Sequence, residues 1–323
     1  MKRIVKLALI LTAAAGVLIT GGVVLVTNPV AARAPHSLWK VSPQALEDHV
    51  TALTAYQYRH CEDLGMLNAA SEYIAKQWRG MGLTVDSQGF VADERAYHNL
   101  IVRFGGEDKE RFLVGAHYDV CGEQPGADDN ASAVAGLIEI ARGLAARDTS
   151  LDYSIELVAF TLEEPPYFRT PFMGSAVHAR SLADAGVEIR GMISLEMIGY
   201  FSDKHGSQKF PAPLMGLVYP NTGNFIAVVG NLGSWRLTRA IKARMSGACE
   251  VPVWSMNAPT AVPGVDFSDH LNYWSLGFDA VMVTDTAFYR NHSYHQPSDT
   301  PDTLDYERMA EVVTGVLAAV TSL

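Results

Sequence analysis

The chain has 323 residues, 48% of them hydrophobic, which is enough for one large core. A formal net charge of −10 argues against a nucleic-acid partner, because such a partner needs a basic surface. Cys61, Cys121 and Cys249 are too few for a disulfide framework and none forms a Cys-x-x-Cys pair, so a thiolate metal site is not expected. If the chain is exported, the one bridge to look for is Cys61–Cys121.

At the amino terminus Lys2, Arg3 and Lys6 precede an apolar run from Leu7 to Val26, and Ala32-Arg33-Ala34 resembles a signal-peptidase site. The run is longer than a signal core of about 7–15 residues and matches the roughly 20 residues that cross a bilayer. Residues 1–34 therefore read as a signal peptide or an N-terminal membrane anchor, with a buried core helix as the remaining alternative. The basic flank would stay in the cytoplasm and the body would be delivered outside, to a periplasmic or extracellular location, tethered by residues 7–26 if uncleaved.

Residues 28–42, with Pro29, Pro35 and Pro43 around them, read as a linker, and residues 35–323 as a single domain. Helical periodicity runs from Leu67 to Trp78 and stops at Gly80 and Gly82. Short apolar runs predict strands over Leu100–Phe104, Phe112–His117, Ile155–Thr161, Met192–Leu195, Phe225–Val229 and Ala280–Thr284. Asn130–Ala146, Trp235–Met245 and Tyr306–Val320 predict helices. This interleaving gives an α/β class, a three-layer α/β/α sandwich around a mixed, mostly parallel sheet. The Gly-, Pro- and Ser-rich residues 200–224 and 248–266 read as surface excursions near the active face.

Five polar clusters fall near predicted strand ends, where open α/β sheets form their sites. In the first, Gly115-Ala-His117-Tyr-Asp119, Asp119 is placed to reach the His117 ring and fix its tautomer, although such a pair is commonly a surface hydrogen bond. The second, Gly126-Ala-Asp128-Asp129-Asn130-Ala-Ser132, precedes a helix and reads equally as an N-cap, but two adjacent acids crowd like charges unless a cation compensates. In the third, Thr161-Leu-Glu163-Glu164-Pro165-Pro166, the prolines break the strand so that two glutamates can share one site, one binding metal and one taking a proton; a solvated acidic loop is the alternative. The fourth is Glu196, a lone carboxylate in an apolar strand end, which needs a cation, Arg190 or Lys204 as partner. The fifth is the loop Asn291-His292-Ser293-Tyr294-His295-Gln296-Pro297-Ser298-Asp299. Histidine and carboxylate donors without cysteine suit catalytic zinc, whereas calcium takes oxygen alone.

In this order and spacing, the clusters resemble the di-zinc aminopeptidase family, which includes bacterial leucyl aminopeptidases, glutamate carboxypeptidase II and, more distantly, glutaminyl cyclases. The resemblance spans Leu67 to the C-terminus and implies a zinc-exopeptidase fold and a peptide substrate. It implies that His117, Asp129, Glu164, Glu196 and His295 hold two zinc ions, with Asp129 as the bridge and a bond after it that is often cis. It further implies Glu163 as general base, Asp119 as partner of His117 and Tyr294 as a donor to the oxyanion. Ser268-Asp269-His270 matches a recurring segment, structural or near the substrate.

Many family members have aspartate where this chain has Glu196. The extra methylene lengthens the arm by about 1.5 Å, which leaves a single-zinc enzyme open, and His292 is a rival ligand. The activity the resemblance implies is removal of N-terminal residues by metal-activated water. A glutaminyl-cyclase-like aminoacyltransferase, a carboxypeptidase and a non-catalytic binding ectodomain are its alternatives. Tyr167, Phe168, Phe288 and Tyr289 are candidates for an apolar pocket, or for core packing.

Overall fold

The computed structural model describes residues 21–24, 26–34, 39–56, 58–106, 110–147 and 151–323. Most of the apolar run at 7–26 lies outside the described residues, and no helix among those described is long and apolar enough to cross a membrane.

One eight-stranded sheet contains β1 (Asp86–Ala92), β2 (Arg95–Phe104), β3 (Arg111–His117), β4 (Ser154–Phe160), β5 (Ile189–Glu196), β6 (Ile226–Gly230), β7 (Val253–Asn257) and β8 (Ala280–Thr284), in the order β1-β2-β4-β3-β5-β8-β6-β7. The central block β4-β3-β5-β8 is parallel, so the carboxyl ends of these strands share one edge. β2 joins antiparallel to β4, and β6 antiparallel to β8. Strands buried on both faces read as near-continuous apolar runs, and β3 and β4 are buried almost throughout.

Alternate residues feed two layers. Phe112, Val114, Ile193, Leu195, Val281 and Val283 face a core shared with helices α1 (Pro43–Ala55), α2 (Leu64–Gly80), α3 (Ala133–Ala145), α5 (Trp235–Met245) and α7 (Tyr306–Val320). Leu113, Met192 and Ala280 face the opposite layer, with Ala179 and Leu182 of α4 (Gly174–Asp184) and Tyr273 of the short α6 (His270–Trp274). The three-layer α/β/α expectation holds.

Several elements depart from the sequence reading. β7 lies inside the supposed excursion at 248–266, because its alternating burial gives a short, weak edge-strand pattern. The strand expected at Leu100–Phe104 is the second half of β2, paired with the unpredicted β1 through a turn at Asp93 and Glu94, both at positive φ. Acidic residues there hide a hairpin that Asn-Gly would announce. α1, which the sequence reading did not name, begins directly after the expected linker, with Pro43 in its first turn and the Ser42 hydroxyl accepting from the Ala45 N–H. α4 was also unpredicted. Before α1, Thr27–Arg33 lies on α5 and β7: Lys242 Nζ and Ser255 Oγ donate to the Thr27 carbonyl at 2.8 and 3.0 Å, and Arg33 N donates to Ala243 O at 2.8 Å.

Glu156 is a charge buried inside β4. Its carboxylate receives Arg103 Nε at 2.5 Å and Arg111 Nη1 at 3.1 Å, with His178 Nε2 at 3.0 Å. Burial pushes its pKa up, but hydrogen bonds and charge from His178 and Arg103 outweigh this and hold it at about 2. An unfolded glutamate titrates near about 4.3. The group therefore contributes about 3 kcal/mol of stability above that pH, lost as the pH falls toward 2. Urea titrations between about pH 2 and pH 5 are expected to show this slope in the wild type and its loss in Glu156→Gln.

Candidate metal and catalytic site

The site begins where β3 ends. His117 is the last residue of the strand and is fully buried. The following loop is clamped from below by the buried Arg59, whose Nε donates to Tyr118 O at 2.9 Å, while Nη1 and Nη2 donate to the carbonyls of Pro125 and Gly126, each at 2.6 Å. The clamp leads to Gly126, at φ 60°, and then to an irregular turn over Ala127–Ser132 in which the Asp129–Asn130 peptide is cis. Asp299 fixes this turn by accepting the N–H groups of Asp128 and Asp129 at 2.9 and 3.0 Å. Asn130 ties it to the end of β5, donating to Leu195 O and accepting from Met197 N.

The adjacent acids do not share a site. Asp129 points into the cluster, whereas Asp128 accepts from Gly199 N at 3.0 Å and Asn291 Nδ2 at 2.8 Å. Burial and then Asp285 raise Asp128 well above the ordinary carboxylate range. The crowding of like charges is thus relieved by direction. A Cβ at Gly126 would meet Asp129 O at 2.3 Å and Val120 Cγ1 at 2.4 Å, at a φ that side chains avoid. Gly126→Ala is expected to cost at least about 1–3 kcal/mol, read by thermal unfolding.

The glutamate pair is turned by Leu162, at φ 60°, and by the Pro165–Pro166 corner. Asp119 holds it, accepting Glu163 N at 3.2 Å through Oδ1 and Glu164 N at 3.0 Å through Oδ2. This adds to the role expected of Asp119 beside His117. Its carboxylate lies 3.6 Å from His117 Nδ1, while its own main-chain carbonyl takes the closer position at 3.2 Å. Glu196, the last residue of β5, uses neither Arg190 nor Lys204. Ser268 Oγ donates to its Oε2 at 2.7 Å, and Arg190 instead pairs with Glu110. His295 stands in the loop after β8, its ring stacked on Tyr294 at 3.8 Å. His292 is exposed and belongs to no group of metal-competent side chains among the described residues.

The six predicted groups converge. His117 Nε2 lies 3.5 Å from Asp129 Oδ1, 3.3 Å from Glu196 Oε2 and 3.9 Å from Glu163 Oε2. His295 Nε2 lies 3.2 Å from both Asp129 Oδ2 and Glu164 Oε2. Asp129 thus turns one oxygen to each histidine. His117 Nε2, Asp129 Oδ1, Glu164 Oε1 and His295 Nε2 have no hydrogen-bond partner, although buried polar atoms normally have one.

Charge gives the same result. Burial and then Asp129 push Glu164 up to about 8. Burial raises Glu163 well above its ordinary range, with His117 opposing and Glu196 adding. Burial would lower His117, but Glu196 and Glu163 outweigh it and raise the ring well above its ordinary value. Asp269 is fully buried with both oxygens unpartnered and, through burial above all, rises to about 7. The pocket holds more negative charge than the fold neutralises, and orphaned donors of these types fit a metal cation.

Residues 99–320 match the sequence profile described as peptidase family M28. The chain belongs to peptidase family M28. It is 44% identical over 285 residues to the uncharacterized protein YfbL of Escherichia coli strain K12, covering 85% of this chain and 87% of YfbL. It is 25% identical over 240 residues to the probable leucine aminopeptidase 1 of Trichophyton verrucosum, covering 71% of this chain and 58% of that protein. Among solved structures, LapB of Legionella pneumophila superposes with a TM-score of 0.69 at 21% identity, over 87% of this chain and 71% of LapB. A Bacteroides thetaiotaomicron glutaminyl cyclase bound to N-acetylhistamine superposes at 0.67 and 16% identity, over 89% of this chain and 100% of the cyclase.

This M28 chain is accordingly a metallo-exopeptidase, a hydrolase acting on peptides. Beside the carboxylates it has an open cavity that Glu196 and Tyr294 both line. The wall is apolar, with Phe210, Trp254, Met256, Met282 and Phe288. Phe288 and Tyr289 line it as expected, whereas Tyr167 and Phe168 do not. Tyr167 donates its hydroxyl to Asp93, and Phe168 packs on Phe267. Sequence reasoning missed Arg59 and the neighbourhood of Cys121, since a lone arginine or a lone cysteine carries no local signal of its own. The three cysteines are free, including Cys61 and Cys121.

Proposed function

We propose that this M28 peptidase is an aminopeptidase that binds two zinc ions, one between His117, Glu196 and Asp129 and the other between Asp129, Glu164 and His295. The observation that carries this reading is the division of the two Asp129 oxygens between the two histidines. Glu196, despite its extra methylene, brings Oε2 to 3.3 Å from His117 Nε2, so the longer arm reaches. When bound, zinc lowers the pKa of water toward about 7 and polarises a carbonyl oxygen.

Glu163 stands beside these donors without being required by them. It takes the proton from the attacking water and returns it to the leaving amine. Asp119 keeps Glu163 and Glu164 at one corner through their N–H groups. Tyr294, stacked on His295, contributes a hydroxyl for the developing oxyanion. The apolar cavity receives the side chain of the residue removed.

The deciding experiment is metal analysis of purified protein together with assays on free and N-blocked peptides. Two zinc per chain and release of N-terminal residues from free peptides alone are expected. Leucine, methionine or phenylalanine should exceed alanine and aspartate by about tenfold to a hundredfold in kcat/KM. One zinc with cyclisation of N-terminal glutamine would favour the cyclase-like reading, and trimming of blocked peptides from the carboxyl end would overturn the aminopeptidase assignment.

We also propose that the body is exported and tethered through residues 7–26. The docking of Thr27–Arg33 on α5 and β7 supports a short connection between anchor and body. Fractionation and the N-terminal sequence of the mature chain test it; a soluble mature chain starting after Ala34 would remove the tether.

A further inference from the structure

We propose that the Cys121 sulfur is an additional ligand at the Glu164–His295 metal position. The proposal rests on the two-zinc reading above. Cys121 Sγ, a Glu164 carboxylate oxygen and a His295 ring nitrogen lie within 4.8 Å of one another. Two independent atoms point to a cation at this place. Glu164 Oε1 is buried without a partner, in a side chain 4% exposed, and His295 Nε2 likewise lacks a hydrogen-bond partner.

Zinc takes sulfur at about 2.3 Å and nitrogen or oxygen at about 2.0–2.2 Å, so its ligands sit within about 4 Å of each other. The three groups need only a small contraction to reach that spacing. The loop that carries Cys121 is already fixed: Val120 N donates to Arg59 O at 3.2 Å, and the Arg59 guanidinium holds the carbonyls on either side. The other cysteines have different neighbours. Cys249 Sγ donates to Met245 O, and Cys61 is buried beside His60.

Ligation replaces the thiol proton with the metal and releases that proton to solvent. It makes the two positions unlike. The His117 position offers nitrogen and oxygen, and the His295 position adds a soft donor that favours zinc, cobalt or cadmium over magnesium or manganese.

The test uses full-length protein loaded with Co2+. A sulfur-to-cobalt charge-transfer band in the near ultraviolet is expected in the wild type and is expected to vanish in Cys121→Ser. In parallel, iodoacetamide labelling of the unaltered chain is followed at each cysteine by peptide mass spectrometry. With zinc at about ten times its Kd, the rate at Cys121 should fall about tenfold. Visible cobalt bands without a sulfur band, or equal labelling with and without zinc, would overturn the ligand while leaving the two-metal peptidase intact. Failure to bind either metal would remove both.

Discussion

Glu163→Gln is expected to lower kcat by about 10²–10⁴-fold while the zinc content stays at the wild-type value. The amide has the size of the carboxylate, and the contacts that fix this corner run from the main-chain N–H groups of Glu163 and Glu164 to Asp119, so the substitution leaves them in place. His295 and Glu164 do not depend on it either, with Nε2 and Oε2 3.2 Å apart. Only the ability to accept a proton disappears. Steady-state rates on a leucyl arylamide, with metal analysis of the same preparation, give both readouts. A variant turning over near the wild-type rate would end the general-base assignment, and one that loses zinc would make Glu163 a ligand instead.

Removal of zinc by a chelator should abolish activity, and added zinc should restore it. The larger interest is in stability. Without the ion, the polar atoms of His117, Asp129, Glu164 and His295 remain buried and unpartnered among like charges. A ligand present at about a thousand times its Kd stabilises a fold by about 4 kcal/mol. For a domain of this size each kcal/mol shifts Tm by about 2–4 °C. Calorimetry should therefore show the zinc-loaded protein melting about 10 °C above the chelated form. Equal melting temperatures would mean that the cluster holds no tightly bound ion.

The parts legible in the sequence were those written in uninterrupted local pattern. Phe112–His117 and Ile155–Phe160 are buried on both faces and read as strands from composition alone. The clusters at 117, 129, 163–164 and 196 stood out because each interrupts or ends such a run with charge. The rest is held in relations between distant residues. Arg59 reaches carbonyls more than fifty positions away, a link no local window contains. Asp119 was read from its spacing to His117, but its hold on the Glu163 and Glu164 amides spans more than forty positions and has no local signal. The opposite facing of Asp128 and Asp129 depends on an irregular turn fixed by Asp299, some 170 positions away. β7 escaped notice because it is only five residues long, alternating buried and partly buried positions.

The cavity wall and the carboxylate cluster are drawn largely from different parts of the molecule. Reactive groups hang from the ends of β3, β4 and β5, whereas the apolar lining comes from the 208–219 segment, from β6 and β7, and from the stretches around β8. Residues such as Trp254 and Met256 belong to an edge strand at the far side of the sheet from the glutamate corner. If the cavity receives the removed residue as proposed, drift there retunes which terminal residue is accepted without disturbing the machinery that cuts. A lineage of such proteins would be free to diversify its diet while inheriting one unchanged blade.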